Sequence, residues 1–222
     1  MYRPAPAVTG RKLLVINPNT NTAVTLRVRQ AAEACAAPTT QLDVVNPERG
    51  PFAIETPEDR AAAVPHVLEL IGRTGGYDGY ILACFDDIAI AEARRLVSVP
   101  VISMAEAGIA AAARHHARFD VVTTVAAAVP TITGLVAAYG MAERCRVCAT
   151  GIGVSESAAA TAAAESALAS VIGSSIAAGV SAIVLGSGAY AGRRAALSQA
   201  FGMPFVDGLE AAVADCETAA EE

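Results

Sequence analysis

Short apolar runs alternate with helix-length stretches along this chain, and that alternation limits the fold more than any other feature. Lys12–Ile16, Gln41–Val45, Tyr80–Ala83 and Val99–Met104 are the right length for strands and too short for helices. Between them, Asn21 or Thr22 caps a predicted helix that runs to about Ala37. Glu58–Arg73 and Ile88–Val97 read as two more. Asn46–Pro57, rich in Pro, Gly and charge, reads as a loop. The second half repeats the programme. Strands are predicted at Phe119–Thr124, Cys145–Thr150, Ala182–Gly186 and Pro204–Val206. Helices are predicted at Ala105–His115, Val129–Tyr139 (with Gly140 as its stop), Thr161–Ala178, Gly192–Phe201 and Leu209–Ala220. A β-α-β-α order implies parallel sheets covered by helices on both faces. The expectation is an α/β protein of two pseudo-symmetric, doubly wound parallel-sheet domains: residues 1–104 plus 205–222, and residues 105–204.

The two halves read as one repeat. Ile81-Leu82-Ala83-Cys84 aligns with Val184-Leu185-Gly186-Ser187, and Val15-Ile16-Asn17 aligns with Val122-Thr123-Thr124. The distance from Cys84 to Pro100 matches that from Ser187 to Pro204 within one position. Two equivalent sheets facing each other would put these strand ends on opposite walls of one cleft. Asn17 and Cys84 would line one wall, and Thr123, Thr124 and Ser187 the other. Open parallel sheets bind ligands at the carboxyl ends of their strands. There the next helix's free N–H groups and dipole favour a thiolate at Cys84 or a substrate anion, the alternative being a buried core cysteine. Asp86 and Asp87 are expected to cap that helix.

Composition narrows the function. Apolar residues make up 54% of the chain but aromatics only 5%, so much of the core is alanine, which favours helices that pack closely. A net charge of −6 without a basic run excludes nucleic acid as a partner. Gly, Pro or charge interrupts every apolar run before it could span a membrane. Met1–Gly10, with two prolines and no apolar stretch, reads as a loose tail. Five scattered cysteines suggest a reducing, cytoplasmic setting. Cys145-Arg-Val-Cys148 has CxxC spacing but no second pair or histidine to complete a zinc site, so no metal is expected. Cys35 and Cys216 read as packing residues on helices. No Gly-rich stretch has the phosphate-loop pattern.

A thiol on one wall and a hydroxyl on the other suit removal of a proton from a carbon and its return to the opposite face. The enolate that forms needs N–H and OH donors, for which Asn17, Thr123, Thr124 and the backbone after Cys84 and Ser187 are candidates. The motifs Ile16-Asn-Pro-Asn-Thr20, Ala83-Cys-Phe-Asp-Asp87, Val121-Val-Thr-Thr124, Val184-Leu-Gly-Ser-Gly188 and Pro204-Phe-Val-Asp-Gly208 occur in an order and spacing that resemble the aspartate/glutamate/hydantoin racemase superfamily. The resemblance covers about Lys12 to Val213 and is nearest to hydantoin and allantoin racemases. It implies cofactor-independent racemisation of a 5-substituted hydantoin or allantoin between two cysteines. Cys84 takes one place; Ser187 stands where the family's second cysteine is expected. It further implies substrate contacts from Asn17, Pro18, Phe85, Thr123, Thr124, Gly186 and Gly188. A serine is a far weaker acid and base unless a partner activates it, and His66, His115 and His116 lie on helical stretches away from the strand ends. The chain is therefore either an altered form or one that does one-sided chemistry. Arylmalonate decarboxylases and maleate isomerases keep the cysteine equivalent to position 187, whereas this chain keeps the opposite one. A non-catalytic small-molecule binder on the same scaffold is the remaining alternative. The absence of an obvious arginine near the cleft favours a neutral or weakly acidic ring over a dicarboxylate, unless Arg193 or Arg194 turns inward. The expected partners are that small molecule and further copies of the chain, with no nucleic acid and no membrane.

Overall fold

The computed structural model describes residues 10–219. The expected tail at Met1–Gly10, apart from Gly10, and the end of the last helix at Ala220 lie outside the described residues. Among the described residues, eight strands form two four-stranded sheets, parallel throughout. The first half runs β1 (Lys12–Ile16), α1 (Thr22–Cys35), β2 (Gln41–Val45), α2 (Pro57–Arg73), β3 (Gly79–Leu82), α3 (Ile90–Leu96), β4 (Val101–Ser103). The second runs α4 (Met104–His115), β5 (Phe119–Thr123), α5 (Val129–Ala138), β6 (Cys145–Ala149), α6 (Val154–Ala158), α7 (Ala162–Ala177), β7 (Ala182–Leu185), α8 (Arg194–Phe201), β8 (Phe205–Asp207), α9 (Gly208–Thr218). The sheet orders are β2-β1-β3-β4 and β6-β5-β7-β8. Each order reverses direction between its two central strands, which opens a crevice there. Ile16 pairs with Leu82 at one crevice and Val122 with Leu185 at the other.

The central strands are buried on both faces, so they read as continuous apolar runs without alternation. Their side chains still divide by parity. Leu13, Val15 and Ile81 share one core with Val121 and Val184 of the other sheet. Leu14, Ile16, Tyr80 and Leu82 turn outward onto Val67, Ile71 and Ala93. Val122, Ile183 and Leu185 turn outward onto Leu168, Ile172 and Leu197.

Two helices exchange places. α4 follows β4 but packs on β7 and β8, whereas α9 follows β8 and packs on β3, β4 and α1. The two also pack on each other. Their crossing is so close that a methyl added at Gly208 would lie 2.2 Å from the Met104 carbonyl oxygen. Residues 205–207 were expected in the first domain, but β8 pairs with β7 in the second sheet, and only the helix after it reaches across.

Helix ends follow local chemistry. Asn21 caps α1 by accepting from the Ala23 N–H. Thr56 and Asp59 form a reciprocal capping box on α2. Gly140, in the left-handed region at φ 73°, ends α5. α3 begins two residues later than expected because Asp87 (φ 46°) and Ala89 (φ 60°) are left-handed. The short helix α6 is not apparent from the sequence. No helix among the described residues is long and apolar enough to cross a membrane.

Gly208→Ala is expected to lower the unfolding free energy by about 1–3 kcal/mol or more, because the methyl meets rigid backbone. Gly173→Ala, in the exposed middle of α7 with open space around it, should raise it by about 0.5–1 kcal/mol. Thermal unfolding checks both, at roughly 2–4 °C per kcal/mol for a chain of this size.

Candidate active site

The central strands of both sheets end on one open-mouthed cavity. The first half contributes Ala83, Cys84, Phe85 and Asp86 after β3, Asn19 after β1, Val24 of α1, and Ile54. Facing them are Thr123 and Thr124 after β5, Gly186, Ser187, Gly188 and Ala189 after β7, Ala128, Ile132 of α5 and Val154 of α6. The structure thus brings Cys84, Ser187, Phe85, Thr123, Thr124, Gly186 and Gly188 together and leaves Asn17 and Pro18 out of the lining.

Asn17 is fully buried and its amide is already committed. Its Nδ2 donates to Asn19 Oδ1 (2.9 Å), Thr25 Oγ1 (3.0 Å) and the Asn21 carbonyl (3.3 Å). Expected to be an oxyanion donor, it instead organises the turn between β1 and α1. Asn19 takes its place on the wall. Asn19 Oδ1 also accepts from the Asn21 N–H at 3.0 Å, so its remaining polar capacity is the amide NH₂.

The two glycines act through packing. A methyl on Gly186 would lie 2.5 Å from Val121 Cγ1, and one on Gly188 would lie 3.1 Å from the Ala83 carbonyl oxygen. At Gly188 the two walls touch. Phe85 is only 3% exposed. Its ring edge would meet added methyls on Gly108 and Gly208 at 3.3 and 3.4 Å. It therefore anchors the Cys84 loop on the crossing of α4 and α9.

Cys84 is partly exposed, and its thiol is pushed well above the ordinary cysteine range. Burial is the main cause and Asp86 adds to it. Arg60 opposes them, Asp87 again raises it, and the Phe85 N–H opposes weakly. The expected lowering by a helix start does not occur, because α3 begins at Ile90, six residues on. Asp86 and Asp87 do not cap that helix, whose start has no side-chain cap. The Asp87 carboxylate accepts hydrogen bonds from the Ser103 and Tyr139 hydroxyls, which tie the loop to the start of α4 and the end of α5. Asp86 faces the cavity with Arg60 behind it. Arg60 Nη1 lies 3.1 Å from Asp86 Oδ1, and Nη2 donates to the Asp86 carbonyl at 2.8 Å.

Ser187 Oγ accepts from the Ala189 N–H at 3.2 Å and has no histidine beside it. Arg193 pairs with Glu165 (2.6 Å) and Arg194 with Glu210 (2.5 Å), so neither turns into the cavity. The CxxC cysteines lie on β6, away from it, with Cys148 Sγ 3.9 Å from Asp120.

α6 is the largest part of the site that sequence reasoning missed. Every bond that holds it across the cleft comes from the first half. Glu55 Oε1 accepts from the Val154 N–H (2.7 Å), Asn21 Nδ2 donates to Ser155 Oγ (3.1 Å), and Arg27 Nη2 donates to the Ala158 carbonyl (2.5 Å). Left-handed residues, Gly151 (φ 77°) and Ala160 (φ 51°), bracket the helix. Ile54 and Ile132 escaped notice as well, since an isolated apolar residue carries no sign of which cavity it faces.

Residues 13–216 match the Asp/Glu/Hydantoin racemase family. The chain belongs to that family. It is 32% identical over 211 residues to the hydantoin racemase of Pseudomonas sp. (strain NS671), which covers 93% of this chain and 85% of the relative. It is 35% identical over 203 residues to the hydantoin racemase of Rhizobium meliloti, covering 90% and 84%. The structure of the allantoin racemase from Klebsiella pneumoniae superposes with a TM-score of 0.91 at 34% identity, over 96% of this chain and 88% of that one.

Asn17→Ala is expected to cost about 1–3 kcal/mol of stability, because it leaves buried acceptors unpaired. Chemical denaturation checks this. Unchanged stability with a loss of turnover would return Asn17 to a role at the reacting centre.

Proposed function

We propose that this family member is an isomerase that racemises hydantoin-type rings without a cofactor, acting through Cys84. One observation carries the reading. Cys84 and Ser187, at equivalent strand ends of the two halves, line the same cavity. The hydantoin and allantoin racemase relatives support the ring as substrate class. Cys84 Sγ, as thiolate, takes the proton from C5 of the ring. The electron pair left on C5 passes to the neighbouring carbonyl oxygen as an enolate, stabilised by the Thr123 and Thr124 hydroxyls and the Asn19 amide. Return of the proton from Cys84 regenerates the same enantiomer, and inversion needs a donor on the Ser187 side. A serine hydroxyl with no activating partner is a poor donor, so inversion is the slow step. Five free cysteines support a reducing, cytoplasmic setting.

Cys84→Ala should abolish C5 deuterium exchange from deuterated water while leaving the circular dichroism spectrum unchanged. Retained exchange would remove Cys84 from the mechanism. Ser187→Cys should speed inversion of each pure enantiomer, measured by optical rotation. A serine form that already inverts as fast as it exchanges would overturn the two-wall scheme. The raised thiol pKa has a further consequence. The thiolate fraction keeps growing above the usual cysteine value of about 8.5, so the exchange rate should keep rising with pH beyond that value. A plateau there would mean that an unperturbed thiol does the work.

A further inference from the structure

Among the described residues, Asp86 is the only carboxylate that lines the cavity, and no Lys or Arg lines it with Asp86. Its Oδ1 is buried against Arg60 Nη1 at 3.1 Å, while the side chain as a whole keeps 18% exposure. Arg60 holds the residue from behind through that ion pair and through the main-chain carbonyl. A second, smaller cavity adjoins on that side, lined by Arg60 and Asp86 with Glu55, Thr56, Ala127, Ala128 and Thr131. The carboxylate is therefore held in place by Arg60, which does not itself line the larger cavity. The other polar groups on the wall are the Asn19 amide NH₂ and the hydroxyls of Thr123, Thr124 and Ser187, all able to donate.

We infer that Asp86 selects the substrate by accepting a hydrogen bond from a ring N–H, and that it excludes molecules presenting a carboxylate at that place. The inference rests on the proposed racemisation of hydantoin-type rings and adds the group that reads the ring. A cyclic ureide alternates carbonyl oxygens with N–H groups. Its carbonyls suit the donors of Asn19 and the threonines, and an N–H suits the one ionised acceptor. A carboxylate near Asp86 would meet like charge, and the cation beside it, Arg60, is already paired with Asp86.

The titration of Asp86 supplies an independent readout. Burial pushes its carboxyl up to about 6, against the pull of Arg60, with Asp87 adding to the rise. The charged or titratable groups around it are Cys84 and Asp87 on its own loop, Arg60 on α2, and Glu55 beside the smaller cavity; the second half presents Ala127, Ala128 and Thr131 there. Above pH 6 the carboxylate accepts a charge-assisted bond. Below it the group is protonated and that bond is lost, so affinity falls as pH drops through about 6.

The test is calorimetric binding of 5-methylhydantoin and of its N1-methyl and N3-methyl derivatives to the wild-type chain, Asp86→Ala and Asp86→Asn. Asp86→Asn keeps the side-chain shape and guards against a folding defect in the alanine form. The wild type should bind the parent about 10–100-fold more tightly than one of the two methylated rings, the range expected for a bond to a charged group. In both variants that preference should shrink. The fall in affinity below pH 6 should vanish in Asp86→Asn. Equal binding of all three rings by the wild type, or an unchanged preference in both variants, would overturn the assignment. Deuterium exchange at C5 by the wild type separates the two ideas. Exchange with an unchanged preference sinks the role of Asp86 alone, whereas neither binding nor exchange sinks the proposed activity with it.

Discussion

The crossing of α4 and α9 holds the site together. Each helix leaves one sheet and packs on the other, so the sheets cannot separate without breaking the contact between the helices. The crossing is close because Gly108 and Gly208 meet there; a methyl on Gly108 would lie 3.0 Å from Gly208 Cα. The space left by the two glycines is filled by Phe85, the residue after Cys84. Packing in the shared core is thereby coupled to the position of Cys84. Interiors packed at crystal-like density transmit such constraints with little give.

Each half repeats the same kind of tie between a strand-end loop and the start of the next helix. In the first, Asp87 after β3 accepts from Ser103, the residue that caps α4. In the second, Asp207, which caps α9, accepts from the Gly192 N–H at 2.6 Å in the segment that follows Ser187. The carboxylate and its partner have changed sides, but the geometry they fix is alike. Each of these cavity-lining loops is pinned to a helix that packs on the opposite sheet. The third connection, from Glu55, Asn21 and Arg27, ties α6 and its cavity-lining Val154 to the first half.

The electrostatic character of the cavity follows from which charges reach it. The arginines nearest in sequence to Ser187 are drawn away by Glu165 and Glu210. Arg60 stands behind Asp86 and leaves that carboxylate as the charge on the wall. Together with burial, this pushes the Cys84 thiol up and makes the cavity unfavourable for a second anion. A neutral ring that carries its own N–H donors suits such a place better than a dicarboxylate does.

Much of this was legible in the chain itself. The alternation of apolar runs and helical stretches determined two parallel sheets, and the internal repeat placed Cys84, Thr123, Thr124 and Ser187 at equivalent strand ends, because strand ends follow directly from local periodicity. Tertiary structure alone decided the rest. Asn17 looked like a donor at a strand end, yet its amide is satisfied by Asn19, Asn21 and Thr25, which only the folded turn brings within reach. Asp86 and Asp87 read as helix caps, but left-handed backbone at Asp87 and Ala89 moves the helix start away. Nothing in the short Ala/Ser/Gly segment around Val154 marks α6 as a helix, since its hydrogen bonds to the other half come from residues about 100 or more positions earlier. The exchange of α4 and α9 between sheets was equally hidden. Periodicity records which face of a helix is apolar, and only the closeness permitted by Gly108 and Gly208 decides which sheet receives it.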